Sequence, residues 1–197
     1  LSADRDGSPT AALLHRNNFR KFDYQLLGGV YKGHYLFAGG GFTTELMNMN
    51  IRFEGSYFHD YRKLSDKPDV VQLSLGIDKI FSNNLILQTE VLYTNKPYDI
   101  SDIVFSYLPA SRSVRELTTS RWSFAGQIYY PFSKLCSINS LIAYFHDQEA
   151  VYIGAEMTYH VFKNFDLSLM INLFDYTLGQ SYSMDGIVGT LHLKYYF

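Results

Sequence analysis

No run of eighteen or more apolar residues occurs in the 197-residue sequence, so no segment reads as a membrane-spanning helix. Cysteine occurs once, at Cys136, which excludes an internal disulfide. No Cys or His spacing around it points to a metal, and it reads as a small buried residue. Neither sign of charge dominates: 17 basic against 19 acidic residues leave a net of −2 with no basic stripe, so no nucleic-acid partner is expected. Gly-x-Ser-x-Gly, His-Glu-x-x-His and phosphate-cradling glycine loops are missing. The dipeptides His59-Asp60 and His146-Asp147 have the residue types of a general base and its orienting partner. A pair that occurs twice through loop composition is poor evidence, however, and nothing fixes the geometry of the hydroxyls at Ser181 and Ser183. The reading is therefore not an enzyme, with no catalytic residue, no cofactor and no metal.

Aromatic side chains are what the chain has in excess: 17 Tyr and 15 Phe bring the aromatic share to 17%. A membrane reading must then rest on strands, and strands in lipid must close into a barrel because nothing there satisfies an open edge. Alternation of apolar with polar or small residues marks about ten segments, at 22–31, 34–43, 48–59, 69–81, 85–94, 121–130, 137–146, 151–161, 165–174 and 186–197. In the fourth, Val71, Leu73, Leu75 and Ile77 oppose Gln72, Ser74, Gly76 and Asp78. In the ninth, Leu167, Leu169, Ile171 and Leu173 oppose Asp166, Ser168 and Asn172. Gly39-Gly40-Gly41 and Ser137-Ile138-Asn139-Ser140 leave the faces of the second and seventh unassigned. Residues 1–21 are mixed and polar and read as an N-terminal extension or loop. The chain opens on Leu1 and carries no secretory signal, as a mature form or the C-terminal part of a longer protein would.

Periodicity does not say which face looks inward, since a soluble lipocalin-like barrel alternates with the same period. Three observations favour the membrane form. Connections alternate between tight turns (82–84, 163–164) and longer segments (60–68, 95–120, 175–185). Aromatics gather at strand ends, as in Tyr57-Phe58, Tyr93, Tyr129-Tyr130, Tyr144-Phe145, Tyr159 and Phe174, where an interfacial girdle would lie. Finally, Gly186 to Phe197 is a regular stripe that stops on an aromatic. Lys79 falls on the apolar side, close enough to a strand end to snorkel.

The terminal Leu191-x-Leu193-x-Tyr195-x-Phe197 resembles the assembly signal of Gram-negative outer-membrane β-barrels. With Tyr130-Pro131-Phe132 closing the sixth strand, Phe162 to Leu169 across a turn, and Tyr195-Tyr196-Phe197, residues 22–197 resemble porin-like outer-membrane proteins. The resemblance implies an all-β, antiparallel transmembrane β-barrel in the bacterial outer membrane. It further implies contact with outer-membrane lipid, insertion by the barrel-assembly machinery, other outer-membrane proteins as partners, and passive diffusion of small solutes as the role. Parity then assigns the lumen to Arg52, Glu54, Gln72, Asp78, Gln88, Glu90, Gln127, Glu156, His160, Asn172, His192 and Lys194, together with Asp23, Gln25, Ser123, Thr158, Asp166 and Thr190. Both signs of charge occur, so either a weakly selective pore or an internal hydrogen-bonded plug is possible. Closure would offer Glu90 or Lys194 to Arg52 and Glu54. Within 95–120 the apolar run Ile103 to Leu108 reads equally as a constriction, a docking segment or an extra strand. Porin-like transport is the leading expectation, and a non-conducting structural or accessory barrel subunit the alternative.

Overall fold

The structure, a computed structural model, describes residues 2–3, 9–61, 69–97, 117–162, 164–178 and 182–197. It is all-β and antiparallel. The strands are β1 (Ser2–Ala3), β2 (Pro9–Phe19), β3 (Phe22–Tyr31), β4 (Tyr35–Leu46), β5 (Met49–Asp60), β6 (Val70–Ile80), β7 (Ile86–Thr94), β8 (Trp122–Pro131), β9 (Cys136–Phe145), β10 (Ala150–Phe162), β11 (Phe165–Leu178) and β12 (Tyr182–Tyr195). They form one sheet in which spatial order equals chain order, the up-and-down connectivity expected of the porin-like fold class. The ten segments read from alternation are β3 to β12. No helix among the described residues is long and apolar enough to cross a membrane.

Two expectations need correction. Residues 9–19, read as extension or loop, form β2, laddered with β3 from Ala11 opposite Val30 to Phe19 opposite Phe22. Its alternation is hidden because Leu13 and Leu14 are adjacent, and His15, Arg16, Asn17 and Asn18 put polar side chains on both faces. The strand exists because β3 supplies its backbone partners. The long connection expected at 175–185 shrinks to 179–181, since β11 and β12 stay paired from Asp175 opposite Asp185 out to Leu178 opposite Tyr182. Polar composition there marks where the apolar stripe ends, and the ladder continues past it.

Contacts divide the chain into two units, Leu1–Gly76 with Leu92–Arg121 and Ile77–Val91 with Trp122–Phe197. In the first unit, Arg20-Lys21 and Met47-Asn48 make two-residue turns. Met47 and Asn48 both have positive φ, 51° and 59°, as the primed turn that matches strand twist requires. In the second, the 81–85 turn closes with the Phe81 amide donating to the Leu85 carbonyl at 2.8 Å, and Asn84 takes φ 64°. The 132–135 turn is held by Ser133, whose Oγ accepts from the Leu135 and Cys136 amides at 3.2 and 3.1 Å. Cys136, expected to be buried, starts β9 beside this turn and is half-buried.

Gly29 shows what the β2–β3 ladder demands. A Cβ there would sit 2.0 Å from the Ala11 carbonyl oxygen, a backbone atom that cannot swing away. At Gly189 in β12 an added Cβ would meet nothing within 4 Å. Gly29→Ala is therefore expected to cost about 1–3 kcal/mol, the usual range for overpacking, whereas Gly189→Ala is expected to be neutral or slightly stabilising. Urea unfolding of the two refolded variants checks this. Equal midpoints would show that β2 does not pack on β3 as described.

Candidate functional site

The ladders assign every side chain in β2 to β5 and β8 to β12 to one of two faces, because directly opposed residues share a face. The faces differ in exposure, and the difference runs opposite to that of a soluble protein. The apolar face is the open one: Leu13 is 79% exposed, Leu26 57%, Ile142 51%, Leu169 49% and Leu191 61%. The polar face holds the buried positions, among them Gln72 at 4% and Asp60 at 6%. The faces of β4 and β9 are now fixed. Leu36, Ala38, Gly40 and Phe42 lie on the apolar face with Ile138, Ser140 and Ile142, while Gly39, Gly41 and Asn139 lie on the polar one.

On the apolar face of β11 and β12, the opposed pairs run Phe165–Tyr195, Leu167–Leu193, Leu169–Leu191, Ile171–Gly189 and Leu173–Ile187, then switch to Asp175–Asp185. From Phe165 to Leu173 is about 27 Å at about 3.4 Å per residue. At a tilt of about 40° that becomes roughly 21 Å of height, close to the apolar band of about 25 Å on a membrane barrel. An aromatic row bounds the stripe at one end and a carboxylate row at the other.

The polar face of the first unit is layered. One cross-strand row is Asn18–Asp23–Thr43–Arg52, and the next is Arg16–Gln25–Gly41–Glu54. Beyond them lie Leu14–Leu27–Gly39–Ser56 and then Ala12–Gly29–Phe37–Phe58. The Asn18 amide donates to Asp23. Arg52 lays its guanidinium against Gly76, where a Cβ would stand only 2.8 Å from one of its nitrogens. The Ser56 hydroxyl donates to Gln72 Oε1 at 3.0 Å. At the far end Phe37, Phe58, Tyr31 and Tyr35 make ring contacts of 5.9–6.4 Å, with Phe58 and Tyr35 buried. Between charged and aromatic zones a groove of about 350 Å³ lies at Gly39 and Gly40, lined also by Leu14, Leu27, Leu92 and Leu117.

On the polar face of the second unit several side chains bond to one another. Gln127 Nε2 donates to Asn139 Oδ1 at 2.8 Å, the Tyr152 hydroxyl donates to Asn172 Oδ1 at 2.7 Å, and Thr158 and Ser168 share a hydrogen bond of 2.8 Å. Glu156 stands in the row with Asn139 and Met170. Near the chain end His160 Nδ1 lies 2.5 Å from Asp166 Oδ1, and the Tyr196 hydroxyl donates to Asp166 Oδ2 at 2.9 Å. Lys194 is opposite Asp166 and sets its ammonium 4.7 Å from the Tyr196 ring centre. His192 lies opposite Ser168, and Gln88 and Glu90 share one face of β7 by alternation.

Other expected positions sort as follows. Leu191, Leu193 and Tyr195 stand outward and exposed on β12, with Phe197 beyond its end. Lys79 reaches over the Phe81 ring at 5.0 Å, next to the turn. The aromatic pairs divide between faces, because adjacent strand residues must point oppositely. Tyr57 is outward, but Phe58 is packed inward and is no girdle residue. His146-Asp147 opens a 3-10 turn, His146–Gln148, in the β9–β10 connection. The run Ile103 to Leu108 and Ser181 lie outside the described residues, as do most of the 60–68 and 95–120 connections. Two groupings were not anticipated, the aromatic cluster and the Tyr196–Asp166–His160 contact. Their members are far apart in sequence and meet only through strand register.

A third grouping lies at the same end of β5 as the aromatic cluster, on the other face of the strand. The Tyr57 hydroxyl donates to Asp69 Oδ2 at 2.5 Å, and His59 Nδ1 is 2.9 Å from Asp69 Oδ1. Asp69 stands in the connection before β6, so these contacts tie that connection to β5.

Among known proteins, no family model matches the chain, and no curated protein matches it. A solved KdgM porin in complex with disordered oligogalacturonate is similar, with 12% identity and a TM-score of 0.39 over 96% of this chain and 93% of that one.

The Tyr57 hydroxyl first, then the His59 ring, hold the Asp69 carboxyl below the usual carboxylate range. A lowered folded pKa means the contact stabilises fully above the unfolded value of about 4 and is lost as pH falls through the lowered value. Unfolding midpoints are therefore expected to fall on acidification below about pH 4, and Asp69→Asn is expected to flatten that fall. A variant with the wild-type acid slope would remove Asp69 from the effect.

Proposed function

We propose that the chain is an integral β-barrel of the bacterial outer membrane that passes small solutes by passive diffusion. The observation that carries this reading is the inverted burial, with leucine and isoleucine exposed while glutamine and aspartate are enclosed. In water such a sheet would leave large apolar area unburied, at about 25 cal/mol per Å². In lipid the same face is solvated by acyl chains, and the backbone is satisfied strand to strand. β2 to β12 run 9 to 14 residues each, and about 9–11 suffice to cross a bilayer. The sheet would close to leave no unpaired edge in lipid, and its polar face would then line the interior. There the side chains carry both signs of charge, as expected of a weakly selective passage. The terminal Leu191, Leu193, Tyr195 and Phe197 would serve recognition by the assembly machinery.

A second reading, a non-conducting structural or accessory subunit, is favoured by a separate observation. The aromatic cluster of the first unit and the bonded side chains of the second occupy much of the polar face, as they would in a plugged barrel. Conductance separates the two readings. An open interior gives discrete steps in a planar bilayer that scale with salt, and a plugged one gives none.

The membrane assignment has its own test. Ile171→Arg puts a charge at mid-stripe on the outward face, where lipid would make it cost about 2–4 kcal/mol, while Thr190→Arg puts the same charge on the polar face. The expected outcome is loss of heat-modifiable gel migration for the first and retention for the second. Equal tolerance of both would refute a lipid-facing stripe, as would normal insertion of a chain truncated after Lys194.

A further inference from the structure

A second groove lies on the polar face of the first unit, closer to the Arg20-Lys21 and Met47-Asn48 turns, with a volume of about 510 Å³. That size falls among ligand sites, about 300–1,000 Å³. Arg16, Asp23, Gln25, Gly41, Thr43 and Glu54 line it from the polar face. Asn17, Tyr24 and Phe42 also border it, and since alternation turns their side chains to the other face, they offer backbone. Gly41 is the floor. A Cβ there would lie 2.7 Å from the Phe53 carbonyl oxygen and 3.0 Å from Glu54 Cγ, so glycine gives the Glu54 stem room to lean over β4. Arg52 leans the other way, over Gly76 of β6, and does not line the groove.

Arg16 and Glu54 stand at the two ends of one cross-strand row, Arg16–Gln25–Gly41–Glu54. Three strand spacings of about 4.8 Å put their Cα atoms roughly 14 Å apart. Both residues are exposed, and among the described residues neither side chain has an ion pair or a hydrogen bond. Asp23, by contrast, accepts from the Asn18 amide. Charged groups within a membrane wall face a partner or a water-filled cavity and mark solute paths. Opposite charges that face one groove, too far apart to pair, limit what fits between them. A simple cation would answer Glu54 and be repelled by Arg16, and a simple anion would meet two carboxylates. A neutral hydroxylated solute would gain no more from either charge than water does. A solute with a carboxylate at one end and an ammonium at the other answers both, and a guanidinium grips a carboxylate through two parallel N–H bonds. Side chains reaching inward from both ends shorten the span to that of one or two extended peptide residues, at about 3.5 Å each.

We propose that this groove is a binding subsite for zwitterionic amino compounds, a free amino acid or a dipeptide, with Arg16 holding the carboxylate, Glu54 the ammonium and Gln25 the polar atoms between them. The proposal deepens the transport reading and rests on it, since the groove must open onto water. It makes a wall of mixed charge selective: solutes that carry both charges dwell there, and those that carry one do not.

The refolded chain in nonionic detergent micelles, isotopically labelled, can be titrated with glycylglycine, with N-acetylglycylglycine, which lacks the ammonium, and with glycylglycine amide, which lacks the carboxylate. The Arg16 side-chain Nε–H resonance, assigned by its loss in Arg16→Gln, should move with glycylglycine. Each capped peptide should bind about tenfold more weakly, the effect of losing one hydrogen bond to a charged group. Glu54→Gln, confirmed as folded by heat-modifiable migration, should weaken glycylglycine by a similar factor and leave N-acetylglycylglycine unchanged, a split that a merely structural role would not produce. Should that variant fail to fold, the three peptides on the unaltered chain decide the matter alone. An Arg16 resonance unmoved by glycylglycine, capped peptides that bind as tightly as the zwitterion, or unchanged affinity in folded Glu54→Gln would overturn the subsite, both charges then being simply hydrated. Planar-bilayer recording on the same preparation distinguishes the two levels. Conductance without glycylglycine binding would sink the subsite and leave transport standing, whereas glycylglycine binding without conductance would keep the subsite and sink transport.

Discussion

Backbone pairing is the constraint on which everything else in this molecule depends. Each strand from β2 to β11 meets its two neighbours in sequence, so its N–H and C=O groups are satisfied by nearby chain, independently of what the side chains face. That independence is what allows leucine outside and glutamine inside. In a soluble fold, by contrast, the hydrophobic core is the main stabilising term and sits within. Here the ladders hold the sheet together, and the side chains are free to sort by what surrounds each face.

The polar face then carries the burden that a core carries elsewhere, and the two units meet it differently. In the second unit, side-chain amides, hydroxyls and an imidazole–carboxylate pair bond across adjacent strands, so polar groups compensate one another. The first unit instead separates its functions by row, with charge near the Arg20-Lys21 and Met47-Asn48 turns, aromatic packing at the far end and glycine between them. This aromatic packing needs no membrane, since Phe37, Phe58, Tyr31 and Tyr35 pack on one another. It is a small conventional core set against an otherwise polar wall.

How much of this was legible in the sequence varied with how far apart the interacting residues stand. β6 and β11 read cleanly, because a two-residue period over eight or more residues is a local signal and exceptions such as Lys79 and Met170 are few. β2 did not, since its faces mix Leu14 with Arg16 and Leu13 with His15, and only the partner strand β3 defines it. Gly39-Gly41 concealed the parity of β4, for glycine has no side chain to report a face; register with Gln25 and Glu54 supplies it. Phe58 was misread as interfacial because aromatic content near a strand end says nothing of direction, whereas its neighbours in the alternation would have shown it pointing inward. The Tyr196–Asp166–His160 grouping joins three strands, and no single-strand pattern encodes it.

Tyr196 also changes how the C-terminal stripe should be understood. Outward, Leu193 and Tyr195 continue the apolar face, with Phe197 beyond the strand end. Inward, the residue between those two aromatics fastens the end of β12 to β11 through Asp166, while its amide donates to the Asn164 carbonyl at 2.9 Å. The terminus of a strand is where fraying starts, and an exposed strand end held only by apolar contact with lipid would have little to resist it. A phenolic hydroxyl on the polar side and a backbone bond to the adjacent turn give it two polar anchors that lipid cannot replace. The alternation of aromatics between the two faces therefore lets three consecutive residues meet two different needs, an exposed apolar stripe and a strand end that stays paired.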